Sequence, residues 1–197
     1  MPEQSPIRRL LILPLLLLAT LVSGCSLLQP KPEDFQPPLM PPADYPFEGQ
    51  VTQIVSMVDD ASSSLLASWS VQDGVLTLVG LTATGQELLR ARYDGVDLTE
   101  TVSPLLPEQV NARVILAQIQ MAYWPLDSIR KRLDGSPWQL MTVSDSRRLV
   151  YYSRLVFDIE PETIAADEHG DFWHTLLISI PVAHQQIRIT TLDMDRK

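Results

Sequence analysis

The chain has 197 residues, 45% of them hydrophobic, and a formal net charge of −9. The length and apolar content suit one domain with a real core. The acidic balance argues against nucleic acid as a partner and against a polybasic grip on membranes.

The first 24 residues have three parts: a start carrying Arg8 and Arg9, an apolar run from Leu10 to Val22 broken only by Pro14 and Thr20, and the small pair Ser23-Gly24. That is the layout of a secretory signal peptide. The apolar run is short for a transmembrane helix, which needs about 20 residues. Val22-Ser23-Gly24-Cys25 then resembles the lipobox of bacterial lipoproteins. The resemblance implies cleavage before Cys25, a diacylglycerol on its sulfur and a fatty acyl group such as palmitate on its new amino terminus. Several acyl chains anchor firmly where one would be marginal. Cys25 is the only cysteine, so no intrachain disulfide can form. Ser26 stands where an Asp would imply retention at the inner membrane, so the sorting pattern implies the outer membrane, with the periplasmic face expected. Loss of residues 1–24 removes Arg8, Arg9 and Glu3, a net +1, and leaves a charge of about −10.

Residues 25–46 are expected to form a lipidated tether. Seven prolines between Gln29 and Pro46 favour extended backbone with no ladder. The globular domain is expected over residues 47–197. Leu65, Ala67, Trp69 and Val71 alternate with Ser64, Ser68, Ser70 and Gln72, only Leu66 breaking the pattern, which is near the period of a half-buried strand. Asp73-Gly74 is a hairpin signal. Val75 to Leu81 is apolar on both faces. Thr84-Gly85 turns the chain, Leu89, Ala91 and Tyr93 keep one parity, and Asp94-Gly95 turns it again toward a weaker strand over Val96–Val102. Short turns between successive strands predict an antiparallel meander.

From Glu108 to Tyr123 there is no Gly or Pro, and Val110, Val114, Ala117 and Met121 share a helical stripe. Pro107 can sit in the first turn. Pro125 ends this helix or starts the next, in which Leu126, Ile129 and Leu133 recur at helical spacing before Asp134-Gly135. Strands then resume over Trp138–Val143, over Arg147–Ile159 with Leu149, Tyr151, Leu155, Phe157 and Ile159 on one parity, over Trp173–Ile180 and over Gln185–Leu192. Glu160 to Phe172 reads as an acidic loop. The predicted class is α+β, mainly β: a strongly curved antiparallel sheet, an incomplete barrel, with a central helical pair as its lid. Incomplete filling of the concave face would leave an apolar cavity.

Three tracts carry a family resemblance: Val79-Gly-Leu-Thr-Ala-Thr-Gly-Gln-Glu-Leu-Leu-Arg-Ala-Arg-Tyr-Asp-Gly95, Leu116-Ala-Gln-Ile-Gln-Met-Ala-Tyr-Trp-Pro-Leu126 and Ile187-Arg-Ile-Thr-Thr-Leu192. They resemble an uncharacterised bacterial lipoprotein family that accompanies gene clusters for aryl polyene or flexirubin-type pigments. That family is similar in turn to the periplasmic lipoprotein carrier and outer-membrane receptor of the Lol system. The resemblance covers most of residues 47–193. It implies a half-barrel with a helical lid over a hydrophobic cavity that handles an acylated or polyene-bearing lipid, and a periplasmic carrier protein as a partner. Periodicity and resemblance together nominate Leu65, Trp69, Leu89, Val114, Met121, Trp124, Tyr151 and Phe157 as cavity-lining residues. Trp124 stands out, because Tyr123-Trp124-Pro125 lies at the helix break where a lid would hinge.

No catalytic residue, metal ligand or cofactor is expected. The two His and three carboxylates between Asp167 and His174 match no metal-ligand spacing, and a solvated acidic loop is the expectation. There is no Gly-x-Ser-x-Gly elbow and no phosphate-binding Gly loop. Arg147-Arg148 and Arg130-Lys131-Arg132 read as solvated faces, with lipid head groups or a partner protein as the alternative. The expected function is therefore binding or handing over of an acylated lipid, lipoprotein or polyene-type lipid, without catalysis. The rival readings are a scaffold lipoprotein of an envelope complex and an esterase or thioesterase.

Overall fold

A computed structural model of the protein describes residues 36–59, 64–107 and 110–197. The expected signal peptide (residues 1–24), Cys25 and the first part of the expected tether lie outside the described residues. All ten strands join one antiparallel sheet in the order β5-β4-β3-β2-β1-β10-β9-β8-β7-β6. The chain starts at the centre with β1 (Gly49–Met57). It steps outward through β2 (Ser64–Gln72), β3 (Val75–Leu81) and β4 (Glu87–Tyr93) to the edge strand β5 (Leu98–Val102). Helices α1 (Ala112–Tyr123) and α2 (Leu126–Leu133) carry it to the opposite edge. It then walks back through β6 (Trp138–Val143), β7 (Ser146–Tyr151), β8 (Arg154–Asp167) and β9 (Gly170–Ile180) to β10 (Gln185–Arg196), which pairs with β1.

The turns follow from their residues. Asp73 and Gly74 both take positive φ, 49° and 72°, as a tight two-residue hairpin requires. Tyr152 and Ser153, at 43° and 66°, divide the apolar run between Arg147 and Ile159 into β7 and β8. The predicted parities hold: Ala67, Trp69 and Val71 of β2 are buried, as are Leu89, Ala91 and Tyr93 of β4.

The sheet is open at β5 and β6, yet it cannot be flat. Helix α1 touches β4 on one wing and both β7 and β8 on the other. Seven strand intervals separate β4 from β7, a span of about 34 Å in a flat sheet, whereas a helix with its side chains is about 10–12 Å across. The sheet must therefore curl around α1. This explains why Leu116 through Ala122 are all buried rather than one stripe of them. Among the described residues no helix is long and apolar enough to cross a membrane.

Three features depart from the sequence reading. Helix α1 starts at Ala112, because Asn111 caps it: the Asn111 side-chain oxygen accepts from the backbone N–H of Arg113 at 2.9 Å and of Val114 at 3.4 Å, and Asn is a preferred N-cap. The stretch expected to be an acidic loop is instead the long β8–β9 hairpin, which turns between Asp167 and Gly170. Finally, part of the proline-rich stretch is packed. Leu39 and Met40 are 1% and 0% exposed, so the packed body begins upstream of Phe47. Proline keeps this strap (residues 36–46) out of the ladder, with a single 3-10 turn over Pro42–Asp44, and residues of α1, α2 and the break between them supply the hydrogen bonds it cannot make in a ladder. Gln120 accepts from Met40 N at 2.8 Å and donates to Met40 O at 2.7 Å. Trp124 Nε1 donates to Pro41 O at 3.0 Å, and Arg132 Nε to Leu39 O at 3.0 Å.

Gly49 begins β1 at φ 151°, where an added Cβ would collide with the backbone carbonyl of Asp195 on β10. Gly49→Ala is expected to cost about 1–3 kcal/mol from the strained backbone alone, with the clash added. A urea titration would read it as an earlier midpoint, and an unchanged midpoint would mean that this end of the β1–β10 ladder is loose.

Candidate functional site

The concave face of the sheet is filled. Trp69, Trp124, Phe157, Leu39, Met40, Leu116, Met121 and Ile129 are among its largest fully buried side chains. At its centre lies a polar network. A bulge between Thr52 and Gln53 sets Gln53 opposite Thr191, so both point inward and Leu192 is left exposed. Gln53 Oε1 accepts from Trp69 Nε1 at 3.1 Å. Gln53 Nε2 donates to the Tyr123 hydroxyl at 2.6 Å and to Thr191 Oγ1 at 3.2 Å. Burial pushes the Tyr123 hydroxyl up to a pKa of about 12, so it stays a neutral partner.

Over this core, where the strap meets the end of α1, lies a cleft of about 300 Å³. Its aromatic walls are Tyr45 and Phe47 from the strap and the residues just after it, Tyr123 and Trp124 from the helix break, and Phe172 and Trp173 from β9. Tyr45 stacks on Trp124 with ring centroids 4.7 Å apart, and its burial also raises its pKa to about 12. A second, smaller cleft of about 240 Å³ lies by Ile54, Leu65, Leu66 and Thr82.

Two arginines border the aromatic cleft in different states. Arg196 is neutralised: it is paired with Asp167, donates to Gly170 O at 2.9 Å, and lies 5.0 Å and 5.4 Å from the Phe47 and Phe172 ring centres. The hydrogen bond from Arg196 holds the Asp167 carboxyl below its ordinary range. Arg147 sits on β7 with its guanidinium 4.8 Å above the Trp173 ring. Its Nη1 donates to Met121 O at 3.0 Å and Trp124 O at 2.8 Å. Met121 O needs this partner, because the N–H four residues on would belong to Pro125, which has none. Burial first, then the charge of Arg130, pulls the Arg147 pKa down to about 10, still cationic at neutral pH.

The eight nominated residues do not gather around one cavity. Trp69, Leu89, Met121, Trp124 and Phe157 are buried in the core, and Leu65, Val114 and Tyr151 pack partly buried against it. Trp124 borders the aromatic cleft and Leu65 the smaller one. The interior that they were expected to leave open is occupied by the strap and α1. Tyr45 and Phe47 escaped notice because their stretch read as tether. Arg147 shares the inward parity of Leu149 and Tyr151, and a charge at an inward position was the signal that could have found it. At the hairpin tip, His169 N donates to Asp167 Oδ1 at 2.7 Å. Among the described residues no three His, Cys, Asp or Glu side chains gather as a metal site.

Comparison with known proteins gives a family and a likeness among solved structures. No curated protein matches the sequence. Among solved structures the chain is similar to the crystal structure of a LolA superfamily protein from Nitrosomonas europaea, at 10% identity over 84% of this chain and 90% of that one, with a TM-score of 0.38. A family model described as a protein of unknown function, DUF3261, matches residues 50–193. This chain therefore belongs to the DUF3261 family.

Proposed function

We propose that the protein is a lipoprotein anchored to the periplasmic face of the outer membrane through acylated Cys25, and that it binds the apolar chain of an acylated lipid, lipoprotein or polyene-type lipid without catalysis. The observation that carries this reading is the cleft of about 300 Å³ walled by Tyr45, Phe47, Tyr123, Trp124, Phe172 and Trp173. Ligand sites are concave and fix their ligands by placed polar groups; here Arg147, His169, Asp171 and Arg196 stand among flat aromatic walls, which suit an extended chain. Because the core beneath is filled, the cargo lies in this surface slot or displaces the strap from above it. The pigment-cluster resemblance makes an aryl polyene the cargo to try first, and a periplasmic carrier is the partner that would deliver it.

Native mass spectrometry of the full chain, extracted from its own membranes in mild detergent, tests the reading. The expected result is a reproducible added mass that resolves into a lipid or polyene on denaturation. A clean apo mass that persists after incubation with membrane extract would overturn it. That outcome would favour a scaffold role, for which the exposed Met141 and Val143 on the open edge strand β6 offer a surface.

A further inference from the structure

Arg147 differs from three other arginines of strands β7 and β10. Arg148 is paired with Asp158, Arg188 with Glu162 and Arg196 with Asp167. Arg147 has no carboxylate within ion-pair distance among the described residues, and the one charge that bears on it is another cation, Arg130. Asp171 and His169 line the same cleft without pairing with it. A half-buried cation with no counter-ion is costly, and the carbonyl ends of α1 offset that only in part.

The use of its donors is uneven. Guanidinium has five N–H groups. The two on Nη1 go to Met121 O and Trp124 O, and the Trp173 ring fixes the plane. Nε–H and Nη2–H, the edge that grips two oxygens at once, have no partner among the described residues. Asp158 Oδ1 is the sole fully buried side-chain polar atom without a partner among the described residues, so these Arg147 donors are not sealed off, and Arg147 lines the cleft.

We infer that Arg147 is the anion-binding residue of the aromatic cleft, and that it grips the carboxylate of a long-chain or polyene carboxylic acid whose tail lies between the aromatic walls. The inference rests on the lipid-binding reading of that cleft. A carboxylate is the better match than a phospholipid head group, because the aromatic walls run directly up to Arg147 and charge and chain must therefore be contiguous, whereas a glycerol backbone separates the phosphate of a phospholipid from its chains.

The test uses the full acylated chain in non-ionic detergent, with native mass spectrometry reading bound hexadecanoic acid against its methyl ester at equal concentration. Hydrogen bonds to a charged group make the acid adduct about tenfold more abundant than the ester on the wild type. Arg147→Lys keeps a cation but loses the two-oxygen edge, so its acid adduct falls to the level of the ester while ester binding stays. Equal binding of acid and ester by the wild type would overturn the assignment of Arg147 and leave the cleft as a neutral-lipid site. Binding of neither would overturn the lipid reading as well. Displacement of the acid by phosphatidylglycerol at lower concentration would overturn the carboxylate in favour of a phosphate. The wild-type comparison of acid with ester stands even if the variant fails to fold.

Discussion

Trp124→Ala should lower the free energy of unfolding by about 3–5 kcal/mol, the range for deleting a large buried aromatic. The side chain is fully buried, and three separate attachments go with it. The Tyr45 ring loses its stacking partner at 4.7 Å, the Trp69 ring loses a neighbour at 6.3 Å, and Pro41 O loses its donor at 3.0 Å. Two of those three belong to the strap. The variant should therefore show a lower urea midpoint together with much faster amide exchange at Leu39, Met40 and Tyr45. A loss below about 1 kcal/mol, with strap protection intact, would mean that Gln120 and Arg132 seat the strap without Trp124.

Gln53→Ala should be nearly as costly, at about 3 kcal/mol or more, for a different reason. Its side chain satisfies Trp69 Nε1, the Tyr123 hydroxyl and Thr191 Oγ1, and Trp69 and Thr191 are buried. Each buried polar group left unpaired costs about 1–3 kcal/mol. Gln53→Leu separates the two contributions, since it restores most of the volume and none of the hydrogen bonds. Leu should recover less than half of the loss in a paired denaturation series. If Leu proves as stable as wild type, the network is dispensable and only the cavity matters.

The same glutamine explains what the sequence concealed. Strands β2, β3 and β4 were legible because Ala67-x-Trp69-x-Val71 and Leu89-x-Ala91-x-Tyr93 keep strict parity and the turns between carry Gly. Strand β1 was not legible. Its inward positions run Val51, Gln53, Val55, so a polar residue stands where the pattern asks for an apolar one, and its partners Trp69, Tyr123 and Thr191 are far away in sequence. The helical pair was legible from its spacing and from Pro125, and only its first turn shifted, to Asn111. The strap was half legible: prolines foretold an extended chain, but nothing local foretold that Gln120, 80 residues on, would hold Met40 by both backbone groups.

The candidate site was harder still. Its walls come from residues 45–47, 122–125, 147, 169–173 and 194–196. No periodicity joins such scattered pieces; only the curl of the sheet does. The tryptophans nominated for a cavity were correctly read as inward-facing, but size and burial go with packing as readily as with ligand contact. Arg147 carried the more useful mark, a charge where its neighbours are apolar.

The pairing of β1 with β10 sets the order in which the protein can fold. It lies at the middle of the sheet and joins Gly49 to Arg196, while Glu48 and Lys197 exchange backbone hydrogen bonds just beyond it. The five strands from β1 to β5 are neighbours in sequence and can form as the chain emerges from its N-terminus. The inner edge of β1 then waits, with its backbone groups unpaired, until β10 is made. An open edge strand is a template for wrong pairing, and contacts this distant in sequence close slowly. The chain is thus most prone to aggregate after β1 to β5 have formed and before β10 pairs with β1, and a truncation that removes β10 would hold it there permanently.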